Sequence, residues 1–227
     1  MPEIKMIDNS GYVPVLVPKY VVLGMLDEYL GRTLFLGEPE TLVERFYPAE
    51  ALEAAVFVSY LTAWCSSLGM DPNLRVEKLA QGHIHILSEC AARLVNRLYV
   101  TDDWIEERRT AGSNELIGLS VDADMFPAMP TLQFTHEQTD PRYSYLYGTY
   151  LRYGVRDALS FRFANASHKV DLIRQFAALL EVDWINHKMS LRGAPTVHEI
   201  TFSEEPKLAG LFVQARAEKE RTAPLVH

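Results

Sequence analysis

The chain has 227 residues, of which 48% are hydrophobic and 23% are charged, and it contains 12 glycines and 12 prolines. These proportions exclude collagen-like, low-complexity and wholly disordered proteins. The formal net charge of −8 argues against a general phosphate-binding protein, because affinity for nucleic acid comes mainly from clustered Lys and Arg.

Residues 1–18 are predicted to form an extended arm. Pro14 and Pro18 interrupt the apolar stretch "GYVPVLVP", which suits an arm or an edge strand better than a central strand. They also break the continuous apolar helix that a secretion signal requires. Cys65 and Cys90 are too few for a disulfide framework, so we expect a reducing, cytoplasmic location.

Residues 19–111 are predicted to be a helical part. A short helix is expected at 20–30, and a long apolar helix follows Pro48 and spans 49–68. The "DPN" motif after it predicts a new helix that runs over 71–99, because an Asp cap followed by Pro is typical of a helix start. Another helix is expected in "DDWIEERR", where acids come first and arginines last.

The run at 54–70 lacks charged residues and is the one stretch that resembles a membrane span. It contains four Ser and Thr residues and lacks the flanking Lys and Arg that orient such spans. A buried helix is therefore predicted, and no membrane partner is expected.

Residues 115–214 are predicted to form an antiparallel sheet covered by at least one helix. The strands are expected in "ELIGLSV", "TLQFTHEQ" and "ALSFRFA", and a further hairpin in "TVHEITF" and "AGLFVQ". An apolar stripe at 170–184 predicts the covering helix. Residues 215–227 lack apolar periodicity and are predicted to be a mobile tail.

The fold class predicted from these elements is α+β: a helical N-terminal part packed with an antiparallel meander. Short connections and the lack of a Gly/Ser-rich linker favour one compact unit. No internal repeat is evident in the sequence.

The segment "RYSYLYGTYLRYGV" at 142–155 contains five tyrosines and is predicted to be a strand. Alternation would place most of their rings on one face, where they either pack under a helix or form a binding surface. Tyrosine is enriched in protein interfaces. The predicted partner-binding residues are Tyr143, Tyr145, Tyr147, Tyr153 and Arg152.

The histidines of "GHIHILSEC" do not indicate a metal site. On the predicted helix His83 and His85 point in nearly opposite directions, whereas a shared ion needs ligands three or four residues apart. His85 and Glu89 have that spacing and are expected to pair on the polar face.

The weak catalytic candidates are Asp122 and Asp124, which form a DxD pattern, and His136 on a predicted strand. Nucleotide-binding loops, nucleophile elbows and metalloprotease motifs are absent from the sequence. No metal or cofactor is therefore expected, although an enzyme whose residues meet only in three dimensions is still possible.

The function predicted from the arm, the tyrosine-rich strand and the tail is that of a noncatalytic interaction or assembly subunit. It would bind a protein partner or self-associate, and nucleic acid is an unfavoured partner. The alternative is a small-molecule enzyme with a pocket between helices and sheet, which would involve Tyr147, His136 and Asp122 or Asp124.

Overall fold

A computed structural model describes most of the chain. The described residues are 15–27, 32–34, 41–101, 117–121, 141–156, 158–164, 166–190, 196–203 and 206–222. Within them, helices cover three antiparallel sheets of three strands each. The predicted α+β class is confirmed.

The helices and strands follow one another in two series. The first series is α1 (Pro18–Met25), β1 (Arg32–Leu34), β2 (Leu42–Phe46), a 3-10 turn (Pro48–Glu50), α2 (Ala51–Ser67), β3 (Arg75–Lys78), β4 (Ile84–Leu87), α3 (Glu89–Asn96), β5 (Tyr99–Thr101) and β6 (Ile117–Val121). The second series is α4 (Pro141–Tyr153), β7 (Ser160–Ala164), α5 (Ser167–Leu179), β8 (Trp184–Ser190), β9 (Val197–Phe202) and α6 (Pro206–Thr222).

The two series contain the same structural unit. Apart from β1, β5 and β6, which form a sheet of their own, each series has a helix, a strand, a second helix, a hairpin and a third helix. The strand orders also correspond, since β2-β4-β3 forms one antiparallel sheet and β7-β9-β8 another. The structure thus contains a repeat that the sequence does not show, because the repeat lies in the order of elements and not in residue identity.

The first helices of the two units, α1 and α4, pack directly on each other. A Cβ atom added at Gly24 would lie 2.2 Å from the carbonyl oxygen of Tyr145, and one added at Gly148 would lie 2.1 Å from that of Val21. Each glycine therefore meets the residue three positions before the other glycine. Such reciprocal contact is what an approximate twofold axis between the helices produces.

The tyrosine-rich segment is helix α4 and not a strand, so the prediction for it is wrong. All residues from Pro141 to Arg152 are buried. A helix that is covered on every side has no polar face, and its sequence therefore lacks the amphipathic pattern by which helices are recognised. The alternating tyrosines fill the space around α4 instead of one side of a sheet.

The helix predicted over 71–99 is also wrong, because the segment forms β3, β4, α3 and the start of β5. Asn73 has a left-handed φ of 43°, and its N–H donates to Oδ1 of Asp71, which makes the segment a turn. Helix α3 starts later, where the Ser88 side chain accepts a hydrogen bond from the Ala91 N–H.

The C-terminal segment differs from its prediction as well. "AGLFVQ" was expected in a hairpin and 215–227 in a tail, but α6 continues to Thr222. The buried residues of α6 follow helical spacing and are Leu208, Leu211, Phe212 and Ala215. Residues 223–227 lie outside the described part.

Several elements are confirmed, namely the long helix α2, the strands β6, β7 and β9, and the covering helix α5. The predicted arm up to residue 14, the helix at 102–109, the strand at 131–138 and the boundary at 111–115 lie outside the described residues. Each described helix is too short or too polar to cross a membrane.

Candidate functional site

The C-terminal end of α1 is held by side chains of the second unit. Lys169 Nζ donates to the carbonyl of Gly24 at 2.9 Å, Arg152 Nη1 to that of Met25 at 2.8 Å, and the Tyr153 hydroxyl to that of Leu26 at 3.2 Å. Positive charges are favourable here because the C-terminal end of a helix carries partial negative charge. We call this junction between the two units the central cluster.

Arg152 is the most extensively bonded side chain of the central cluster. Its Nε and Nη2 atoms contact the two carboxylate oxygens of Glu50 at 3.1 and 3.2 Å. Nη2 also donates to the carbonyl of Arg45 at 2.9 Å, and Nη1 lies 3.7 Å from Oε1 of Glu44. The Arg152 side chain is 1% exposed. This is a two-pronged guanidinium–carboxylate pair of the kind that Lys cannot form.

The two carboxylates of the central cluster are fixed by backbone N–H groups. Glu44 accepts from the N–H groups of Asp27 at 2.9 Å and Arg45 at 2.7 Å, and Glu50 accepts from that of Tyr47 at 2.8 Å. Both carboxylates therefore bind N–H donors from the backbone in addition to Arg152.

Electrostatics in the central cluster favour a charged Arg152. Burial alone would lower the pKa of its guanidinium, but the neighbouring Tyr153, Glu44 and Glu50 outweigh that effect and raise the pKa above its usual range. Burial raises the pKa of the Tyr153 phenol, because the charged form of a phenol is disfavoured away from water. This hydroxyl therefore remains a hydrogen-bond donor. The central cluster is a neutralised, fully bonded set of charges.

The residues predicted to bind a partner lie inside the protein. Tyr145 and Tyr147 are fully buried, and Tyr143 is 7% exposed. The Tyr147 hydroxyl donates to Glu218 Oε2 on α6, and that same oxygen accepts from Tyr60 on α2 at 2.9 Å. These tyrosines join helices within the core and do not form a surface.

The sheet of the second unit has one buried and one open face. Phe161, Ile200 and Phe202 are buried. On the opposite face Arg162, Glu199 and Lys188 lie side by side across the three strands. Of these three side chains Arg162 and Lys188 are exposed, and Asn186 is exposed two positions along β8.

The sheet of the first unit repeats this arrangement. Arg45, His85 and Glu77 are neighbours across β2, β4 and β3 and lie on the face away from the buried Phe46 and Ile84. The edge strand β3 is exposed at all four positions. We call the polar sides of these two sheets the outer faces.

The histidines do not form the helical arrangement that was predicted. His85 lies in β4, and burial followed by the nearby Arg45 lowers its pKa. His83 precedes the strand, and its ring lies 5.5 Å from that of Tyr47. Glu89 pairs with Arg93 on α3, so the expected pairing with His85 does not occur.

The catalytic candidates Asp122, Asp124 and His136 lie outside the described residues, and their role is untested. Among the residues that the structure describes, no three His, Cys, Asp or Glu side chains come together in a way that could hold a metal ion.

Three residues of the central cluster escaped the sequence analysis, namely Glu44, Glu50 and Lys169. A signal for Lys169 was present, because it precedes Leu172 and Ile173 by three and four positions and so lies on the apolar stripe of α5. A charged residue on an apolar stripe indicates a buried ion with specific partners. Glu44 and Glu50 gave no comparable signal.

No family model and no curated protein matches the chain. Among solved structures, mesophilic variants of the homing endonuclease I-DmoI are similar with 11% identity and a TM-score of 0.46, covering 87% of this chain and 93% of that chain. I-DmoI in complex with DNA and calcium has 10% identity and a TM-score of 0.48, with coverages of 89% and 97%. An I-DmoI variant with its nicked target DNA and manganese has 10% identity and a TM-score of 0.44, with coverages of 91% and 96%.

The predicted function as a noncatalytic assembly subunit, with nucleic acid unfavoured, is wrong. The solved structures that resemble the chain are those of a DNA endonuclease, two of them with DNA. The tyrosine-rich strand on which the prediction depended is a buried helix, and part of the expected tail belongs to α6.

Proposed function

We propose that the protein binds double-stranded DNA through the outer faces of its two corresponding sheets. The observation that carries the proposal is the charge of these strands. The outer faces of the six strands carry four basic residues and two acidic ones, in a chain whose net charge is −8. The basic residues are Arg45, Arg75, Arg162 and Lys188, and the acidic ones are Glu77 and Glu199.

This distribution answers the objection that an acidic chain is a poor ligand for phosphate. Affinity for DNA depends on the Lys and Arg that contact phosphates and release counterions, and not on the charge of distant surfaces. The outer faces also carry His85, Asn186 and Thr201, whose side chains donate or accept hydrogen bonds. Antiparallel strands are an established means of contacting a DNA groove.

The repeat of the two units supports a duplex as the partner. Twofold-related DNA-binding elements engage two half-sites on the duplex, and the symmetry of the protein is matched by that of its site. The close approach of Gly24 and Gly148 places an approximate twofold axis between the units. We therefore expect one chain to contact two adjacent half-sites of related but different sequence.

The experiment measures binding of fluorescently labelled duplex DNA by anisotropy, first with mixed sequences and then with duplexes selected from a random pool. The variant Arg162→Ala/Lys188→Ala removes two positive charges from an outer face. The matched control Arg93→Ala/Arg174→Ala removes two exposed charges from helices α3 and α5.

We expect the outer-face variant to lose affinity by at least tenfold, while the control binds like the wild type. Equal losses in both variants, or no binding of any duplex by the wild type, would refute the proposal. Strand cleavage belongs to the endonuclease named above, and gel analysis of the same samples shows whether it occurs here.

A further inference from the structure

The central cluster contains two carboxylates that lie against the same buried guanidinium. Glu44 and Glu50 belong to the first unit, and Arg152 belongs to the second. Glu44 is 6% exposed and Glu50 is 20% exposed at their side chains. Two carboxylates this close and this shielded require a counter-cation, because an uncompensated buried charge is strongly unfavourable.

Divalent cations and arginine provide that charge in different ways. Calcium and magnesium need a shell of oxygen ligands that are free to point at the ion. In the central cluster the carboxylate oxygens accept hydrogen bonds from the N–H groups of Asp27, Arg45 and Tyr47, and those of Glu50 also bind the guanidinium. The carbonyl oxygens of Met25 and Arg45 likewise point at Arg152 and not at an open position.

The surroundings of Arg152 also disfavour a second cation. Lys169 Nζ lies at the same helix end, where it bonds the Gly24 carbonyl. The guanidinium carbon of Arg152 lies 4.2 Å from the centre of the Phe46 ring, so the plane of the guanidinium is packed as well as bonded. A divalent ion would have to displace the buried Arg152 side chain or bind next to the positive charges of both Arg152 and Lys169.

We infer that Arg152 is the permanent cation of the central cluster, that no divalent cation binds there, and that DNA binding by the outer faces needs no divalent metal in that cluster. The last part rests on the proposed function, whereas the first two parts concern the folded chain alone. The first arm of the experiment tests the first two parts, and the second arm tests the last part.

The first arm measures the melting temperature of the full chain in EDTA and in millimolar Mg²⁺, Ca²⁺ or Mn²⁺. We expect no saturable rise, because a ligand that binds only the folded state raises the melting temperature with its concentration. A saturable rise that is abolished by Glu50→Gln would overturn the inference.

The variant Arg152→Ala tests the same site by rescue. It leaves a space lined by two carboxylates, and we expect millimolar guanidinium to raise its melting temperature while leaving that of the control Arg174→Ala unchanged. Rescue by Mg²⁺ or Mn²⁺ but not by guanidinium would show that the central cluster prefers a divalent metal and would overturn the inference. If Arg152→Ala does not fold, the metal titrations of the wild type and Glu50→Gln still show whether a divalent cation binds in the central cluster.

The second arm measures the dissociation constant for duplex DNA in EDTA and in Mg²⁺ at matched ionic strength. We expect equal values, and a loss of binding in EDTA that Glu50→Gln also produces in Mg²⁺ would contradict the inference. Failure to bind any duplex in either buffer refutes the proposed function and leaves the melting arm intact.

Discussion

Gly24 and Gly148 are in equivalent positions of two helices, each lying against the carbonyl of the residue three before the other. The absence of a side chain at both positions lets α1 and α4 approach backbone to backbone. This close approach brings the C-terminal end of α1 within reach of Arg152, Tyr153 and Lys169. The central cluster therefore depends on the two glycines.

Gly24→Ala and Gly148→Ala are each expected to destabilise the protein by about 3 kcal/mol or more, because the new methyl group would overlap a backbone carbonyl that cannot move alone. Urea unfolding measures the change. Gly210→Ala is the matched control, since no atom lies within 4 Å of its added Cβ, and it is expected to stabilise α6 by about 0.5–1 kcal/mol. Similar effects at all three glycines would contradict the close helix approach.

Arg152→Lys preserves the charge of the central cluster but removes the fork that binds both oxygens of Glu50. We expect a loss of about 2 kcal/mol in the free energy of unfolding, because at least one carbonyl or carboxylate is left without its donor. Urea unfolding at neutral pH checks this value. A Lys variant as stable as the wild type would show that charge alone matters at this position.

The hydroxyls of Tyr60 and Tyr147, which both donate to Glu218, predict a stability change at alkaline pH. Burial, followed by the neighbouring Glu218, raises the pKa of Tyr60 above its usual 10.0, and the pKa of Tyr147 is raised in the same direction by burial and its bond to Glu218. The unfolded chain therefore ionises these phenols first. Stability should be fully present below pH 10 and fall as the pH rises beyond it.

Tyr60→Phe and Tyr147→Phe should each make that alkaline decline shallower, and each should cost about 1–2 kcal/mol at neutral pH through the lost hydrogen bond. Unfolding free energies between pH 8 and 12 provide the comparison. If the double variant Tyr60→Phe/Tyr147→Phe loses unfolding free energy with rising pH as steeply as the wild type, the alkaline decline arises from other groups.

His198 predicts a second pH effect, at the acidic end. It is 4% exposed, and its Nδ1 lies 3.1 Å from Nε2 of His187 on the neighbouring strand. Burial, followed by the charge of His187, lowers the pKa of His198 from 6.5. Because the unfolded chain binds the proton more readily, stability is present above pH 6.5 and is lost as the pH falls.

We expect His198→Gln to reduce the slope of unfolding free energy against pH between 7 and 5. His85, whose pKa is also lowered, is measured separately as His85→Gln so that its contribution can be subtracted. If His198→Gln has the wild-type slope, the pair on the sheet does not titrate during unfolding.

The sequence predicted those elements whose pattern comes from one buried and one open face. Strands β7 and β9 alternate, and α5 carries an apolar stripe, so their periods identified them correctly. The same reasoning failed for α4, because a helix buried on every side has no such period.

Two Asp-Pro motifs had opposite outcomes. The one at Asp71 was predicted to start a helix but makes a turn, whereas Pro141 in the second motif is the first residue of a helix, α4. Pro suits both the first position of a helix and a turn, so the motif alone does not distinguish them. The packing partner decides, and for α4 that partner is α1, which lies more than one hundred residues earlier in the chain.

The central cluster was mostly beyond sequence reasoning, because Glu44, Glu50 and Arg152 come from distant segments. Arg152 was predicted to bind a partner, but it is buried and bonds two backbone carbonyls, which carry no sequence signal, and the carboxylate of Glu50. The repeat of the two units was hidden for a related reason: it is preserved in the order of helices and strands and not in residue identity.

The most direct test of DNA binding by the outer faces is the salt dependence of the dissociation constant for duplex DNA. A plot of log affinity against log salt concentration should have a negative slope, and removing Arg162 and Lys188 should reduce its magnitude by about 2, or about 1 for each lost phosphate contact. Removing Arg93 and Arg174 should leave the slope unchanged. A wild-type affinity that is insensitive to salt, or a slope that falls equally in both variants, would contradict the account.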